Sequence, residues 1–598
     1  MSIPRSEYPR PQFMRDEWLC LNGEWQFEID AGDSGLERGL LERDLAQKIT
    51  VPFCPESELS GIGNVDFMES VWYRRDVNIP KEWEGKRVLL HFQAVDYDAT
   101  VWVNGEEVKR HRGGFASFTC DITKQASAGA AATIVVRARD HKDQPKPAGK
   151  QCPDYANRGC LYTRTTGIWQ TVWLEPVPMT SFKRPRITPN VPRREFEITA
   201  PVLGNPAGYE IRAALWAKGE RLAEDVVSAE NDMAPRLRLA VPDSRAVLWE
   251  PGKPHLYDIV LTLHGPDGTA VDTVKSYAGL RAISIQGMKV LLNGKPVFQR
   301  LVLDQGYYPD GIMTAPSDDA LRKDIELSMA AGFNGARLHQ KVFEERFLYY
   351  ADKLGYLVWG EFGDWHSHRG GHRFVDQDNT PFVGEWLEVL ERDYSHPSIV
   401  GWCPLNETPG KITDQIEPLH DVAYAMYNAA KAMDLTRPVV DTSGWAHRVV
   451  ESDIYDGHDY EQNPDRFAER HAGLADDNPR TESYGGHDSV AYNGQPYFVS
   501  EFGGIWWNAE LAAASEGSDR KESWGYGNRI KNLDEFYARF EGLCDVLLRD
   551  PNMFGYCYTQ LTDVFQEENG IYAFDRSEKF DMARINAAQM KPAACEKP

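Results

Sequence analysis

Through the first 180 or so residues, apolar and polar positions alternate in short runs broken by turn residues. Val88-Leu89-Leu90-His91-Phe92, Ala99-Thr100-Val101-Trp102-Val103 and Thr133-Ile134-Val135-Val136 are three such runs, and Asn104-Gly105 marks a tight hairpin. Many short strands with turns every ten or so residues predict a β-sandwich of the jelly-roll kind over 1–180. The style repeats on a smaller scale over 181–285, with strands expected at Tyr209–Trp216 and Tyr257–Leu263, which suits an immunoglobulin-like sandwich. From 286 to 598 apolar runs alternate instead with helical spacing, the texture of βα units around a parallel sheet. Strands are expected near 297–303, 333–338, 356–361, 398–405, 438–441, 453–458, 496–500 and 553–558. Helices are expected at Asp319–Ala331, Glu344–Leu354, Glu385–Tyr394, Asp414–Met433 and Leu533–Leu548. Eight strands point to a (β/α)8 TIM barrel, with a doubly wound open sheet as the alternative. The polar stretch 460–495 reads as a long loop after the sixth strand, on the face where barrels keep their active sites.

Two of these strands end on a carboxylate. Trp402-Cys403-Pro404-Leu405 runs into Asn406-Glu407, and Tyr497-Phe498-Val499-Ser500 runs into Glu501. They close the fourth and seventh strands, which face one another across a barrel mouth. The carboxyl groups can then approach to the roughly 5–5.5 Å that double displacement at a glycosidic bond needs, rather than the wider gap of an inverting enzyme. The proton donor must keep its proton near neutral pH, and the nucleophile must stay ionised. We assign Glu407 as acid/base and Glu501 as nucleophile. Asn406 can aim its amide at a sugar hydroxyl beside the reacting carbon, and Arg337, ending the second strand, can hold the nucleophile ionised. For Glu407 alone, a solvated strand end or helix cap explains the residue as well; the matching Glu501 tips the balance.

Composition narrows the classes further. A net charge of −24 disfavours a general nucleic-acid binder or an anionic membrane surface. The 17 Trp suit stacking on sugar faces, though core filling accounts for most of them. No apolar run is long enough to span a bilayer, and the start MSIPRSEYPRPQFMRDEW has no secretory h-region. Nine scattered Cys without C-x-x-C spacing predict reduced thiols, so a cytoplasmic protein is expected. The partner expected is an oligosaccharide or glycoside substrate.

At this point the chain resembles glycoside hydrolase family 2, the family of β-galactosidases, β-glucuronidases and β-mannosidases. The resemblance rests on Trp18-Leu19-Cys20-Leu21-Asn22-Gly23-Glu24-Trp25, Val71-Trp72-Tyr73-Arg74-Arg75, Thr166-Gly167-Ile168-Trp169-Gln170-Thr171-Val172-Trp173, Leu248-Trp249-Glu250-Pro251, Gly332-Phe333-Asn334-Gly335-Ala336-Arg337 and His396-Pro397-Ser398-Ile399-Val400-Gly401-Trp402, in that order. It implies a jelly roll, an immunoglobulin-like domain and a catalytic barrel, and retaining exo-hydrolysis with Asn406, Glu407, Glu501 and Arg337 in the family roles. Family members are often dimers or tetramers, which leaves a homo-oligomer open.

Departures from the family pattern bear on the sugar. Asp304-Gln305-Gly306-Tyr307 stands where large β-galactosidases hold magnesium, so no metal and no cofactor is expected. Glu567-Glu568-Asn569-Gly570 stands where β-glucuronidases carry Asn-x-Lys, and its acids would repel a sugar carboxylate, although Arg576 and Lys579 lie nearby. Leu338-His339-Gln340 and Thr559-Gln560 also differ from the usual residues. The simplest reading is a β-galactosidase; a β-galactofuranoside, α-L-arabinoside, β-glucuronide or β-mannoside is the alternative. A carbohydrate-binding protein on a spent hydrolase scaffold is the rival class, opposed by retention of both carboxylates. Second-tier candidates are Tyr460 and His458 at the sixth strand, with Tyr460 donating to the nucleophile, and His339. Glu361 is a candidate for a sugar hydroxyl, and Trp506 for a stacking platform. Each has an ordinary packing or solvation role as its alternative. His366, His368 and His372 could ligate a metal, but read better as a polar rim.

Overall fold

The computed structural model describes residues 3–142, 144–365, 380–408, 412, 414–481, 489–513 and 523–597. Its first unit is a jelly-roll sandwich. A six-stranded antiparallel sheet holds Gly23–Ile29, Ser70–Asn78, Ala131–Arg139 and Asp98–Val103 in its interior, and it packs on a four-stranded sheet centred on Val172–Val177 and Arg87–Phe92. Alternation puts Trp25, Phe27, Val71, Tyr73, Leu90, Val101, Ile134 and Leu174 into one core. Asn104 and Gly105 both take positive φ, +50° and +82°, which makes the tight turn between Asp98–Val103 and Glu106–Arg112. The second unit packs a three-stranded sheet against a four-stranded one, Glu220–Ser228, Glu210–Ala217, Tyr257–His264 and Ala270–Ala278, around Phe196, Leu215, Leu237 and Leu261.

The third unit is the TIM barrel. Seven strands form one parallel sheet: Gln299–Asp304, Gly335–Leu338, Leu357–Glu361, Ile399–Cys403, Tyr455–Asp459, Tyr497–Gly503 and Met553–Thr559. The fifth position is filled by residues 439–443, which pair with the fourth strand only through isolated parallel bridges, Trp402 with Val439 and Asn406 with Ser443. Pro438, which has no N–H to give the ladder, accepts there from the Trp402 amide at 3.0 Å. All strands are buried, as two covered faces require. A small meander, Ile283–Gln286, Lys289–Leu292 and Lys295–Pro296, packs Val290 and Leu292 on Leu301, Leu303, Trp359 and Val400 of the barrel interior.

Helices Asp318–Ala330, Glu345–Leu354, Thr380–Asp393, Pro418–Met433 and Leu533–Arg549 fall where helical spacing placed them. The stretch read as a loop, 460–495, departs from that reading. It holds a helix, Pro464–His471, capped by the Asn463 side chain and followed by a 3-10 turn, Ala472–Asp476. Two turns that bury little beyond Phe467 and His471 leave almost no period to detect. All nine cysteines are unpaired. Among the described residues no helix is long and apolar enough to cross a membrane.

The N-terminal strap ties the three units together. Arg5 makes a paired contact with Glu344 of the barrel at 2.9 and 2.7 Å. Arg15 bonds Asp272 of the second unit at 2.9 and 2.8 Å, and Arg15, Arg10 and Tyr8 all donate to Glu175 of the jelly roll. Arg184 reaches Glu345 of the barrel with both nitrogens at 2.9 Å. Glu175 is fully buried; burial would raise its carboxyl, but Arg10, His91 and Arg15 hold it well below the usual range. Glu175→Ala would strand two buried guanidiniums, and should cost about 3–5 kcal/mol, read as a lower urea midpoint. An unchanged midpoint would show that the strap contributes nothing to stability.

Candidate active site

The carboxyl ends of the strands carry the ionisable groups. Arg337, on the second strand, is buried at the centre. Its Nε donates to Glu361 at 2.6 Å, its Nη1 to the Ser500 carbonyl at 3.0 Å and to Glu501 at 3.1 Å, and its Nη2 to the Asn406 side-chain oxygen. Glu501 comes from the seventh strand. A shift of register between Gly457 and His458 sets His458 opposite it on the sixth. Glu407 lies just past the fourth strand with φ +53°, a left-handed backbone that is costly for a residue with a side chain. Its N–H is tied to the Ser443 carbonyl at 2.7 Å, so the irregular fifth strand is what fixes the turn.

His458 bridges the two acids: Nδ1 is 2.7 Å from Glu407 and Nε2 is 3.5 Å from Glu501. The nearest polar atoms of Glu407, His458 and Glu501 all lie within 4.8 Å of one another, a group that could also hold a small cation. Burial alone would raise the Glu501 carboxyl; the charges of His458, Arg337 and His339 outweigh it and hold the group well below the usual carboxylate range. Burial alone would lower the His458 imidazole, but Glu501 and Glu407 carry it above its ordinary value. Tyr460 donates its hydroxyl to the second oxygen of Glu501 and stacks on Tyr526, with ring centroids 3.4 Å apart. The amide nitrogen of Asn406 is buried and has no partner among the described residues, so one donor beside the two acids awaits an acceptor.

Of these groups, Glu407, His458 and Tyr460 line a groove of about 1130 Å³, with Tyr526 and Trp365 of the barrel and Cys160 and Leu161 of the jelly roll. That size exceeds what a single sugar ring fills. The jelly-roll loop over 148–164 crosses the barrel mouth to reach it. Ala148 N–H bonds the Trp365 carbonyl at 2.8 Å and Gly149 N–H the Gly363 carbonyl at 3.1 Å. Gly149 has φ +60°, and a Cβ there would sit 2.1 Å from the Gln340 carbonyl oxygen, so the two domains meet as closely as a glycine allows. Tyr162 donates to Glu567, and Gln305, Gln560 and Asn569 continue the network into the barrel.

Of the residues singled out from the sequence, Glu407, Glu501, Asn406, Arg337, His458 and Tyr460 are brought together. His339 lies beneath them, buried, 2.9 Å from Glu361 and 4.0 Å from Glu501. Glu361, expected to meet a sugar hydroxyl, is instead fully buried. One oxygen takes Arg337 and the other takes the Gln340 N–H at 3.1 Å, so it braces the arginine. Trp506, expected as a stacking platform, donates to Ser523 at 2.9 Å, faces Arg529, and is not among the groove residues. Arg576 is engaged by Asp324 and Lys579 by Asp563, so neither offers the spare cation that their positions in the chain suggested. His366, His368 and His372 lie outside the described residues. Sequence reasoning missed Tyr526 and Trp365, which line the groove, and Lys150, whose ammonium sits over the Trp365 ring; all three are carried by loops without periodicity.

Three family models match this chain in order: the sugar binding domain of glycosyl hydrolases family 2 at 19–146, the second family 2 domain at 180–281, and the family 2 TIM barrel domain at 283–502. The chain belongs to glycoside hydrolase family 2 and is an O-glycosidase. Among particular proteins, it is 25% identical over 458 residues to a β-glucuronidase of Paenibacillus borealis, covering 72% of this chain and 74% of that one. It is 27% identical over 386 residues to a β-galactosidase of Thermoanaerobacter pseudethanolicus, covering 62% of this chain and 48% of that one. The solved β-glucuronidase of Ruminococcus gnavus in complex with D-glucuronic acid has the same fold, with a TM-score of 0.76 at 19% identity, covering 98% and 100% of the two chains.

The electrostatics predict a pH effect. Cations hold Glu501 ionised well into acid. Removing one of them raises its pKa, so His458→Asn should move the acidic limb of the kcat/KM profile to higher pH. A limb that stayed in place would mean that His458 carries no charge beside Glu501.

Proposed function

We propose that this enzyme is a retaining exo-β-glycosidase whose glycon is a uronic acid, a β-D-glucuronide in the simplest case. The observation that carries the retaining mechanism is the approach of Glu407 and Glu501 to within 4.8 Å, oxygen to oxygen, which leaves no room for the water of an inverting enzyme between them. Glu501, held ionised by Arg337, His458 and Tyr460, attacks the anomeric carbon as Glu407 protonates the departing oxygen. A covalent glycosyl–Glu501 ester forms. Glu407 then takes a proton from water, which attacks the same carbon and frees the sugar with its configuration kept. The unpartnered Asn406 amide supplies a hydrogen bond to the hydroxyl next to the reacting carbon. The Arg337–Glu361 pair keeps the site from reorganising as charge moves.

The glucuronide reading draws on the β-glucuronidases among the similar proteins and displaces the β-galactoside as first choice. Its obstacle was the acidic stretch at 567–568. Burial pushes the Glu567 carboxyl up, towards its neutral form, and Tyr162 and Asn569 occupy its oxygens. Glu568 is held by Asn508 and Ser523 in a neighbouring cleft. Glu567 therefore has both oxygens engaged, and Glu568 turns to the neighbouring cleft and not to the groove of the two acids. The β-galactoside remains the second reading, supported by the similar β-galactosidase.

A panel of p-nitrophenyl β-D-glucuronide, β-D-galactoside, β-D-mannoside, β-D-galactofuranoside and α-L-arabinosides separates these readings by which one releases nitrophenol. On the substrate found, Glu407→Gln should lower kcat about 10²–10⁴-fold for poorly activated leaving groups. Glu501→Ala should be inactive until azide is added, and should then yield a glycosyl azide of inverted configuration. Near-normal turnover by Glu501→Ala would refute the assignment.

A further inference from the structure

Lys150, on the jelly-roll loop, lies against the groove-lining Trp365, placed by the glycine-tight contact at Gly149 and by the Tyr162 N–H on its own carbonyl at 2.8 Å. The residue is only 6% exposed, and its ammonium sits 3.9 Å over the Trp365 ring, whose N–H is tied to the Asn406 carbonyl at 3.1 Å. It therefore lies beside the Asn406-Glu407 turn, the position from which a sugar's substituents can be reached. No carboxylate of a described residue comes within 4.0 Å of it. The ammonium is thus buried on an aromatic face, with acids around it but none in ion-pair contact. Burial would lower its pKa, but the Cys160 thiol and the carboxylates of Glu567, Glu407 and Glu501 outweigh that, so it keeps its charge at neutral pH. The charged groups facing it are acids: Glu567 with its oxygens occupied, and the two catalytic residues, which the reaction engages.

We propose that Lys150 is the specificity-determining residue of this enzyme, pairing with the C6 carboxylate of a uronic glycon seated between Glu407 and Glu501. The proposal rests on the uronide reading above and deepens it. It places the recognition of acid sugars on the first domain, in a loop that crosses the barrel mouth, while Arg576 and Lys579 behind the eighth strand are spent on Asp324 and Asp563.

The test uses the full-length enzyme with p-nitrophenyl β-D-glucuronide and p-nitrophenyl β-D-galactoside. The wild type should favour the glucuronide. Lys150→Met should lower the ratio of the two kcat/KM values about a hundredfold, mainly through KM for the glucuronide, and Lys150→Arg should restore part of it. Lys150→Gln, which keeps a polar stem, replaces the Met variant if that one does not fold. A ratio unmoved by these substitutions overturns the proposal while leaving a glucuronidase in place. A wild type that prefers the galactoside, and whose galactoside hydrolysis D-glucuronate does not inhibit, overturns the uronide reading and the role of Lys150 with it.

Discussion

The active site is organised around one guanidinium. Arg337 is buried and carries five N–H donors in a rigid fork, and the fork is filled by Glu361, Glu501, the Ser500 carbonyl and Asn406. A charge so far from water is tolerable only when matched and fully hydrogen-bonded. Glu361 supplies the permanent match; Glu501 is the second, and this is why its carboxylate stays ionised in a place where burial opposes it. The same fork fixes the oxygen end of Asn406 and leaves its amide nitrogen buried without a partner among the described residues. A lysine at this position could neutralise charge but could not set those directions together.

Around that centre the three domains act as one frame. Glu175 gathers Tyr8, Arg10 and Arg15, and Arg15 passes the connection on to Asp272. Asp352 of the barrel receives Tyr277 at 2.8 Å and the Ser398 N–H at 2.9 Å, and its own carbonyl takes the Trp249 indole at 2.7 Å. These contacts are buried and most are charged or charge-assisted, so the domains are held at fixed angles by directional bonds rather than by apolar area alone. Fixed angles matter because a loop of the first domain lines the catalytic groove.

Much of this was legible in the sequence because it is local. Period-two runs such as Arg87–Phe92 and helical spacing such as Leu533–Arg549 need only a core to face, and both are where the patterns put them. Glu407 and Glu501 were legible as a pair: Glu407 alone reads equally well as a solvated strand end or helix cap, but two carboxylates closing facing strands have few uses. What escaped depends on partners distant in the chain. Whether Glu361 meets sugar or arginine is decided by Arg337 reaching back to it, and whether Arg576 is free is decided by Asp324. Trp506 and Tyr526 are both aromatic residues in loops, and only packing on Tyr460 selects the second for the groove. Lys150 stands in a run, Gly149-Lys150-Gln151, with no periodicity at all, and its setting arises from a close approach that the glycine permits.

The loop over 148–164 has a consequence for how such enzymes diversify. Bond-breaking machinery is encoded by strand ends of the barrel, where nearly every substitution disturbs a filled hydrogen-bond network. Part of the groove wall is encoded some 250 residues earlier, on a loop of a separate domain whose middle, about 153–160, is far more exposed than its buried ends. Drift or exchange in that short segment can alter which molecule enters while the reaction it meets is inherited intact. A lineage built this way can explore new diets without reinventing its chemistry.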